Sequence, residues 1–325
     1  MQLKALCLGA VLSLSAAQVF AEQSEAAQWL QRLQESQTEQ AYQGTFVYER
    51  KGAFSTHQVQ RQVDVQGRLL EHFVQLNGPA HEVFRVDGRV QCMSSAMSDQ
   101  LAQVDLWPAQ QIAMQHLERW YEPRLLGNAR VAGHITTVLL FAPRDQHRYP
   151  VEIHLERDTA TLLKSLLFNE QGQLLERLQF VQFQKIPSHM AETQTLIQPS
   201  ADCVAVADQT EILAITNTTN WSAGWIPPGF MLLNSHSKKS VDRSGNVISQ
   251  VYSDGLAHFT VFTENIDNLE IDGGRRQLGP TAVVSRKVTQ ADETVMVTVV
   301  GEIPLGSAER VALSMRAVQQ EQVDD

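Results

Sequence analysis

From Thr45 onward the apolar residues of this chain recur with a period of two, and turn signals break the run about every 8–12 residues. That spacing predicts a long antiparallel meander. Thr45–Arg50 (TFVYER) is strand-like. Gln58–Val65 puts Val59, Val63 and Val65 on one face, with Arg61 interrupting it. Leu69–Leu76 and His81–Cys92 continue the pattern, punctuated at Gln66-Gly67, Asn77-Gly78-Pro79 and Asp87-Gly88. Val151–Glu156 alternates Val151, Ile153 and Leu155 with Glu152, His154 and Glu156, which predicts a solvent-facing edge for the polar set. Leu162–Asn169 and Gln173–Phe183 form a hairpin around Glu170-Gln171-Gly172. One face of the meander is apolar throughout. It needs a second sheet, a helix or a bound apolar ligand to cover it.

A helix over Glu25–Gln40 precedes the strands, with Ala26, Trp29, Leu30 and Leu33 at 3–4 spacing and Ser24 as its cap. Residues 1–21 read as a secretory signal peptide. Lys4 is the positive region, Ala5–Ala16 a short apolar core, and Val19-Phe20-Ala21 the cleavage site. Cys7 lies inside that core without the small residues of a lipoprotein signal. The remaining stretch of about 300 residues exceeds one core and predicts two domains. Between Pro187 and Asn220 the periodicity fades into a linker of weak internal structure. A smaller unit follows. Trp225–Phe230 (WIPPGF) is a rigid entry, Gln250–Phe262 is a hairpin turning at Asp254-Gly255, and Thr281–Val288 pairs with Val295–Glu302. Ser307 is expected to cap a last helix, Ala308–Met315, and Gln319–Asp325 to be a disordered tail.

The net charge of −10 and the absence of a basic block leave no footprint for nucleic acid. No G-x-S-x-G, H-E-x-x-H or G-x-x-x-x-G-K-[ST] motif is present, which argues against an enzyme. His147 beside Asp145 reads as part of a polar hairpin turn, Arg144–Arg148, rather than as an acid–base pair. Cys92 and Cys203 point to one disulfide in an oxidising compartment, with two separate buried thiols as the alternative. Neither has a second ligand at metal-site spacing, and no metal or cofactor is expected. What remains is binding. A sheet with one apolar face can curl around a lipid chain, and Phe46, Tyr48, Phe73, Phe84, Trp107, Trp120 and Tyr121 are the candidates for lining it; a plain hydrophobic core explains the same residues. Arg275-Arg276 and Lys238-Lys239 are the basic spots that could hold an acidic peptide, with solvated loop charges as the alternative.

Several segments resemble the periplasmic sigma-factor regulators of the RseB/MucB family. They are Gln43–Arg50 (QGTFVYER), Phe54–His57, Arg85–Arg89, Pro143–Tyr149 (PRDQHRY), Lys164–Phe180, Trp225–Phe230, Tyr252–Ala257 (YSDGLA) and Met296–Ala312. The resemblance implies a mainly β fold with α (α+β). Residues 22–186 would be a lipoprotein-carrier-like (LolA/LppX-like) antiparallel half-barrel that senses lipid. Residues 187–220 would be a linker, and 221–318 a small sheet-and-helix domain that binds the anti-sigma factor. It also implies a periplasmic negative regulator of the envelope-stress (alginate/mucoidy) sigma factor. Such a regulator binds the periplasmic part of a MucA/RseA-like anti-sigma factor and shields it from a site-1 protease of the DegS type. Lipopolysaccharide or a related envelope lipid would release it, and a homodimer is expected. The competing reading is a periplasmic lipid or lipoprotein carrier, which needs only the first domain.

Overall fold

The computed structural model describes residues 25–36, 40–78, 81–94, 114–186, 196–206, 221–239, 246–266, 273–290 and 293–317. Ser24, Trp107 and residues 319–325 lie outside the described residues, as does the segment 1–21. Helix α1 spans residues 25–36 and α2 spans Met114–Trp120. The first sheet contains β1 (Tyr42–Arg50), β2 (Ala53–Val63), β3 (Leu69–Gln75), β4 (Glu82–Val86), β5 (Arg89–Ser94), β6 (Tyr121–Val131), β7 (His134–Pro143), β8 (Val151–Glu156), β9 (Leu162–Phe168), β10 (Leu174–Lys185) and β11 (Cys203–Ala205). Their spatial order is β11-β5-β4-β3-β2-β1-β10-β9-β8-β7-β6. Two meanders, β1–β5 and β6–β10, are thus joined where β10 pairs with β1 in antiparallel register, Tyr48 opposite Leu178 and Arg50 opposite Glu176.

The sheet rolls onto its own apolar face. The tip of the β6–β7 hairpin, Val131 and Ala132, packs with Phe46, Val59, Leu163, Leu178, Phe180 and Phe183. Ring nitrogen Nε2 of His134 stands 3.3 Å from the Phe183 carbonyl oxygen. Since β6 is an edge strand separated from β10 by three others, this contact requires a half-barrel curl. Helices fill the rest. Ala26, Leu30 and Leu33 of α1 and Leu117 of α2 pack on Leu139, Phe141, Val151, Ile153, Leu155 and Leu162.

The opposite face is closed over β3–β5 by residues 196–206. Ile197 and Cys203 pack on Leu70, Phe84 and Cys92. The Ile197 amide donates to Gln62 Oε1 (3.0 Å), and the Ser200 amide and hydroxyl both donate to the Glu82 carboxylate. Burial raises the Glu82 pKa, but the Ser200 and His72 hydrogen bonds outweigh it, so the group sits below its ordinary value. Cys92 and Cys203 form a disulfide, and β11 adds to β5 beside it. This part of the expected linker is therefore a strap with a strand in it, because its backbone has a sheet edge to pair with.

The second sheet comprises β13 (Met231–Lys239), β14 (Asn246–Ser253), β15 (His258–Asn265), β16 (Gly274–Leu278), β17 (Thr281–Gln290) and β18 (Glu293–Gly301), in order β13-β14-β15-β18-β17-β16. Short β12 (Trp221–Ala223) pairs with β19 (Met315–Ala317). Helix α3 (Leu305–Leu313) lays Ala308, Val311 and Ala312 on a valine-rich core.

Two expectations change, and one pair of strands is new. Strands β6 and β7 were not legible in the sequence. Helix α3 starts at Leu305 with Pro304 as its N-cap residue, so Ser307 is not the cap; it lies inside the helix. Residues Glu152, His154 and Glu156 do not form a solvent-facing set: His154 and Glu156 are each only 5 % exposed. His154 Nε2 is 2.7 Å from Glu152, while its Nδ1 is buried without a hydrogen-bond partner among the described residues, and Glu156 accepts from the Asp158 and Thr159 amides.

The disulfide closes a sequence separation of 111 residues, for which chain entropy gives on the order of 4–5 kcal/mol. A Cys92→Ala/Cys203→Ala variant is expected to lose about 2–4 kcal/mol in urea unfolding and to become cleavable within residues 196–206. Unchanged stability and protease resistance would show that side-chain packing alone holds the strap.

Candidate functional site: the joint between the two sheets

The polar loops of both sheets converge on one joint. At its centre is Arg148, whose residue is 1 % exposed. Its Nη1 donates to Asp254 Oδ2 at 2.7 Å, and its Nε and Nη2 hold Asp145 at 3.1 and 3.0 Å. Nη2 also donates to the Pro228 carbonyl. The guanidinium lies 5.2–5.4 Å from the ring centres of Trp120, Tyr121 and Phe230, within cation–π range.

Asp254 divides its carboxylate between the two sheets. Oδ1 accepts from the Leu256 and Ala257 amides (3.0 and 2.8 Å) and so shapes its own β14–β15 turn, where Gly255 takes φ +101°. Oδ2 accepts from Arg148 and from the Tyr121 hydroxyl (3.0 Å) across the joint. Burial pushes the Asp254 carboxyl up, opposed by the Ala257 amide, Arg148, the Leu256 amide and the Tyr121 hydroxyl. Burial and the neighbouring Asp254 charge hold the Tyr121 phenol well above its ordinary value, keeping it a donor.

Around this pair the fit is close. Trp120 lies against Gly229, whose φ of +89° suits glycine and where a Cβ would overlap the indole. His147 Nδ1 is 3.0 Å from Ser307 Oγ, its ring edge-on to Trp225 at 5.1 Å. Burial, Arg310 and Arg148 lower the His147 pKa, against Asp145. The Tyr149 hydroxyl reaches the Ile303 carbonyl at 3.4 Å.

A second arm lies at the end of β1. The Tyr48 hydroxyl donates to Glu176 Oε2 at 2.7 Å. Arg50 stands between Glu176 (3.8 Å) and Glu302 of the second sheet (3.7 Å) and donates to the Thr281 hydroxyl. Burial, then the Glu302 charge, pushes the Glu176 pKa up to about 7, against the Tyr48 hydrogen bond and Arg50. The Tyr48 phenol is raised, by burial first and by Glu176 second.

The candidates for lining a groove are spread over separate places. Phe46 and Phe73 belong to the inner-face core, with the Arg85 guanidinium 5.6 Å from the Phe73 ring centre. Phe84 pairs with His72 in the ladder and lies on the opposite face, under the strap. Tyr48, Trp120 and Tyr121 belong to the joint. Arg275 and Arg276 lie on the exposed edge strand β16, and Arg275 is held 3.1 Å from Glu309. Lys238 and Lys239 end β13. Among the described residues no three His, Cys, Asp or Glu side chains are grouped to hold a metal ion. Sequence reading missed Arg148, Asp254 and Glu176 as a set. For Arg148 and Asp254 the signal was charge inside turn motifs, with Arg144–Arg148 reading as an ordinary polar turn, and Glu176 lies within strand β10.

Family models for the MucB/RseB N-terminal domain and the MucB/RseB C-terminal domain match residues 25–199 and 216–316. The chain belongs to the MucB/RseB family. It is 45 % identical to the Pseudomonas aeruginosa protein named sigma factor AlgU regulatory protein MucB, over 96 % of each chain. It is 26 % identical to the Salmonella typhimurium sigma-E factor regulatory protein RseB, over 80 % of this chain and 81 % of that one. The structure of the Pseudomonas aeruginosa MucA/MucB complex covers 91 % of this chain and 100 % of that chain, with a TM-score of 0.79 at 45 % identity. A crystal structure of MucB alone gives a TM-score of 0.67, with 91 % and 98 % coverage. Within this MucB/RseB chain, most of the segments that carry the resemblance end at the joint. Gln43–Arg50 brings Tyr48 and Arg50, Lys164–Phe180 brings Glu176, and Pro143–Tyr149 brings Arg148. Trp225–Phe230, Tyr252–Ala257 and Met296–Ala312 bring Gly229, Asp254 and Glu302.

Removing one partner of a buried ion pair strands the other charge, at a cost of about 3–5 kcal/mol. Arg148→Ala is expected to destabilise the protein by that amount and to split its calorimetric unfolding into two transitions. A single transition at the wild-type midpoint would contradict the central place given to this pair.

Proposed function

We propose that this chain is a periplasmic, non-catalytic regulator that binds the periplasmic segment of a MucA/RseA-like transmembrane anti-sigma factor. Binding shields that segment from site-1 proteolysis and so keeps the envelope-stress sigma factor inactive. The observation that carries this reading is the likeness to MucB along nearly the whole chain, at 45 % identity, together with the superposition on MucB from its complex with MucA. The second sheet favours a regulator over a lipid or lipoprotein carrier, because a carrier needs only the first. The reading includes a homodimer, a leader at residues 1–21 and a lipid site on the inner face near Phe46 and Phe73. Exposed Arg276 is offered as a contact for an acidic segment, with Arg275 committed to Glu309.

Lipopolysaccharide, or a lipid of that class, acts in this reading by favouring a state with weak affinity for the anti-sigma segment. Linkage makes the effect reciprocal: bound segment weakens lipid binding by the same factor. Moving such an equilibrium from 1:99 to 99:1 takes about 5.5 kcal/mol of differential affinity. Burial of about seven acyl methylenes, at about 0.8 kcal/mol each, supplies that much.

The test is cleavage of the cognate anti-sigma periplasmic segment by its site-1 protease, with purified protein present, before and after addition of lipopolysaccharide. Protection that lipid abolishes is the expected result. Absence of both protection and peptide binding would sink the regulator and put the carrier reading first.

A further inference from the structure

The second arm of the joint places two carboxylates from different sheets on either side of one guanidinium. Glu176 sits on β10, and Glu302 follows β18. Arg50 Nε lies 3.8 Å from Glu176, and Arg50 Nη2 lies 3.7 Å from Glu302. The other titratable group bonded into the cluster is Tyr48 on β1, which donates to Glu176. Lys51 runs past Gly279 of the β16–β17 turn and, among the described residues, forms no ion pair with either carboxylate, and His258 of β15 meets Glu302 through its backbone carbonyl. β17 contributes only the uncharged Thr281. Arg177, next to Glu176 on β10, is turned to Glu49 at 3.4 Å. One guanidinium therefore serves two carboxylates in a part-buried site, and the surplus negative charge is removed when one carboxylate takes a proton.

We propose that Glu176, Arg50 and Glu302 form a proton-operated latch that draws the two sheets together as the periplasmic pH falls. With Glu176 protonated, Arg50 pairs with Glu302 alone and the arm is closed. With both carboxylates ionised the arm is strained by like charge and loosens, while the Arg148–Asp254 pair keeps the sheets attached. The raised Glu176 value, about 7, sets the window. A group whose folded pKa lies above its ordinary value, near 4.3, favours the closed form fully below that ordinary value. The advantage is lost as the pH rises through about 7. His147 acts with the opposite sign: its lowered value favours the closed joint at higher pH. Asp254 has the same sign as Glu176. Only variants of the latch itself separate these contributions.

The experiment is small-angle scattering and thermal melting of the full mature protein from pH 5 to pH 8.5, compared among wild type, Glu176→Gln and Glu302→Gln. The wild type is expected to be more compact and to melt higher at pH 5.5 than at pH 8. Glu176→Gln is expected to stay compact at both. Glu302→Gln, freed of the second carboxylate, is expected to move the midpoint down by about one pH unit. A Glu176→Gln protein that keeps the wild-type pH response, or a wild type with none, would overturn the proposal. Because neither readout uses the anti-sigma segment or lipid, failure here leaves the regulatory reading standing.

Discussion

Arg148 has no exposed side-chain surface, and neither has its partner Asp254. Taking two charges out of water is costly, so such a pair persists only where further hydrogen bonds satisfy both groups. Here they do. Asp145 and the Pro228 carbonyl occupy the rest of the guanidinium, and two turn amides and a phenol occupy the rest of the carboxylate. The pair's main product is specificity. Because Asp254 Oδ1 organises the β14–β15 turn and Oδ2 reaches across to Arg148, the second sheet can meet the first in one orientation that leaves no charge stranded. The close seat of Trp120 on Gly229 and the His147–Ser307 contact depend on that orientation.

The first sheet offers the joint a stable base because it covers its apolar surface by itself. Rolling brings the β6–β7 tip onto the phenylalanines of β1 and β10, and two helices cover the β6–β9 side. The other face over β3–β5 is closed by a strap that is bonded three ways: a disulfide, a short strand and the Ser200–Glu82 hydrogen bonds. Each device handles a different consequence of a long open meander, namely exposed apolar area and an unpaired edge.

The two arms of the joint differ in electrostatic character. The Arg148 arm has one cation against two carboxylates, but in a cradle of amides, a phenol and aromatic faces. The Arg50 arm has the same charge count with fewer donors, so proton uptake by Glu176 balances it. A fixed hinge beside a titratable contact is an arrangement in which the relation between two sheets can change without either sheet unfolding.

The sequence by itself determined the strand-rich class, the hairpins turning at Asp87-Gly88, Glu170-Gln171-Gly172 and Asp254-Gly255, and the residues available for the disulfide. These follow from side-chain alternation, turn chemistry and cysteine count, all of which are local. It did not show β6 and β7, because Pro123 and Gly127 interrupt the first strand's pattern and its pairing register shifts by a bulge. It misplaced His154 and Ser307 because their partners, half-buried Glu152 alongside and His147 in a loop of the first sheet, depend on packing. Tertiary structure alone decided that Phe84 faces away from Phe73, that the linker contains a strap, and that Arg148, Asp254, Arg50, Glu176 and Glu302 meet. The physical reason is the same in each case. A buried charge is stable only beside its counter-charge, and that partner is separated by 106 residues for Arg148 and Asp254, a distance no local pattern spans.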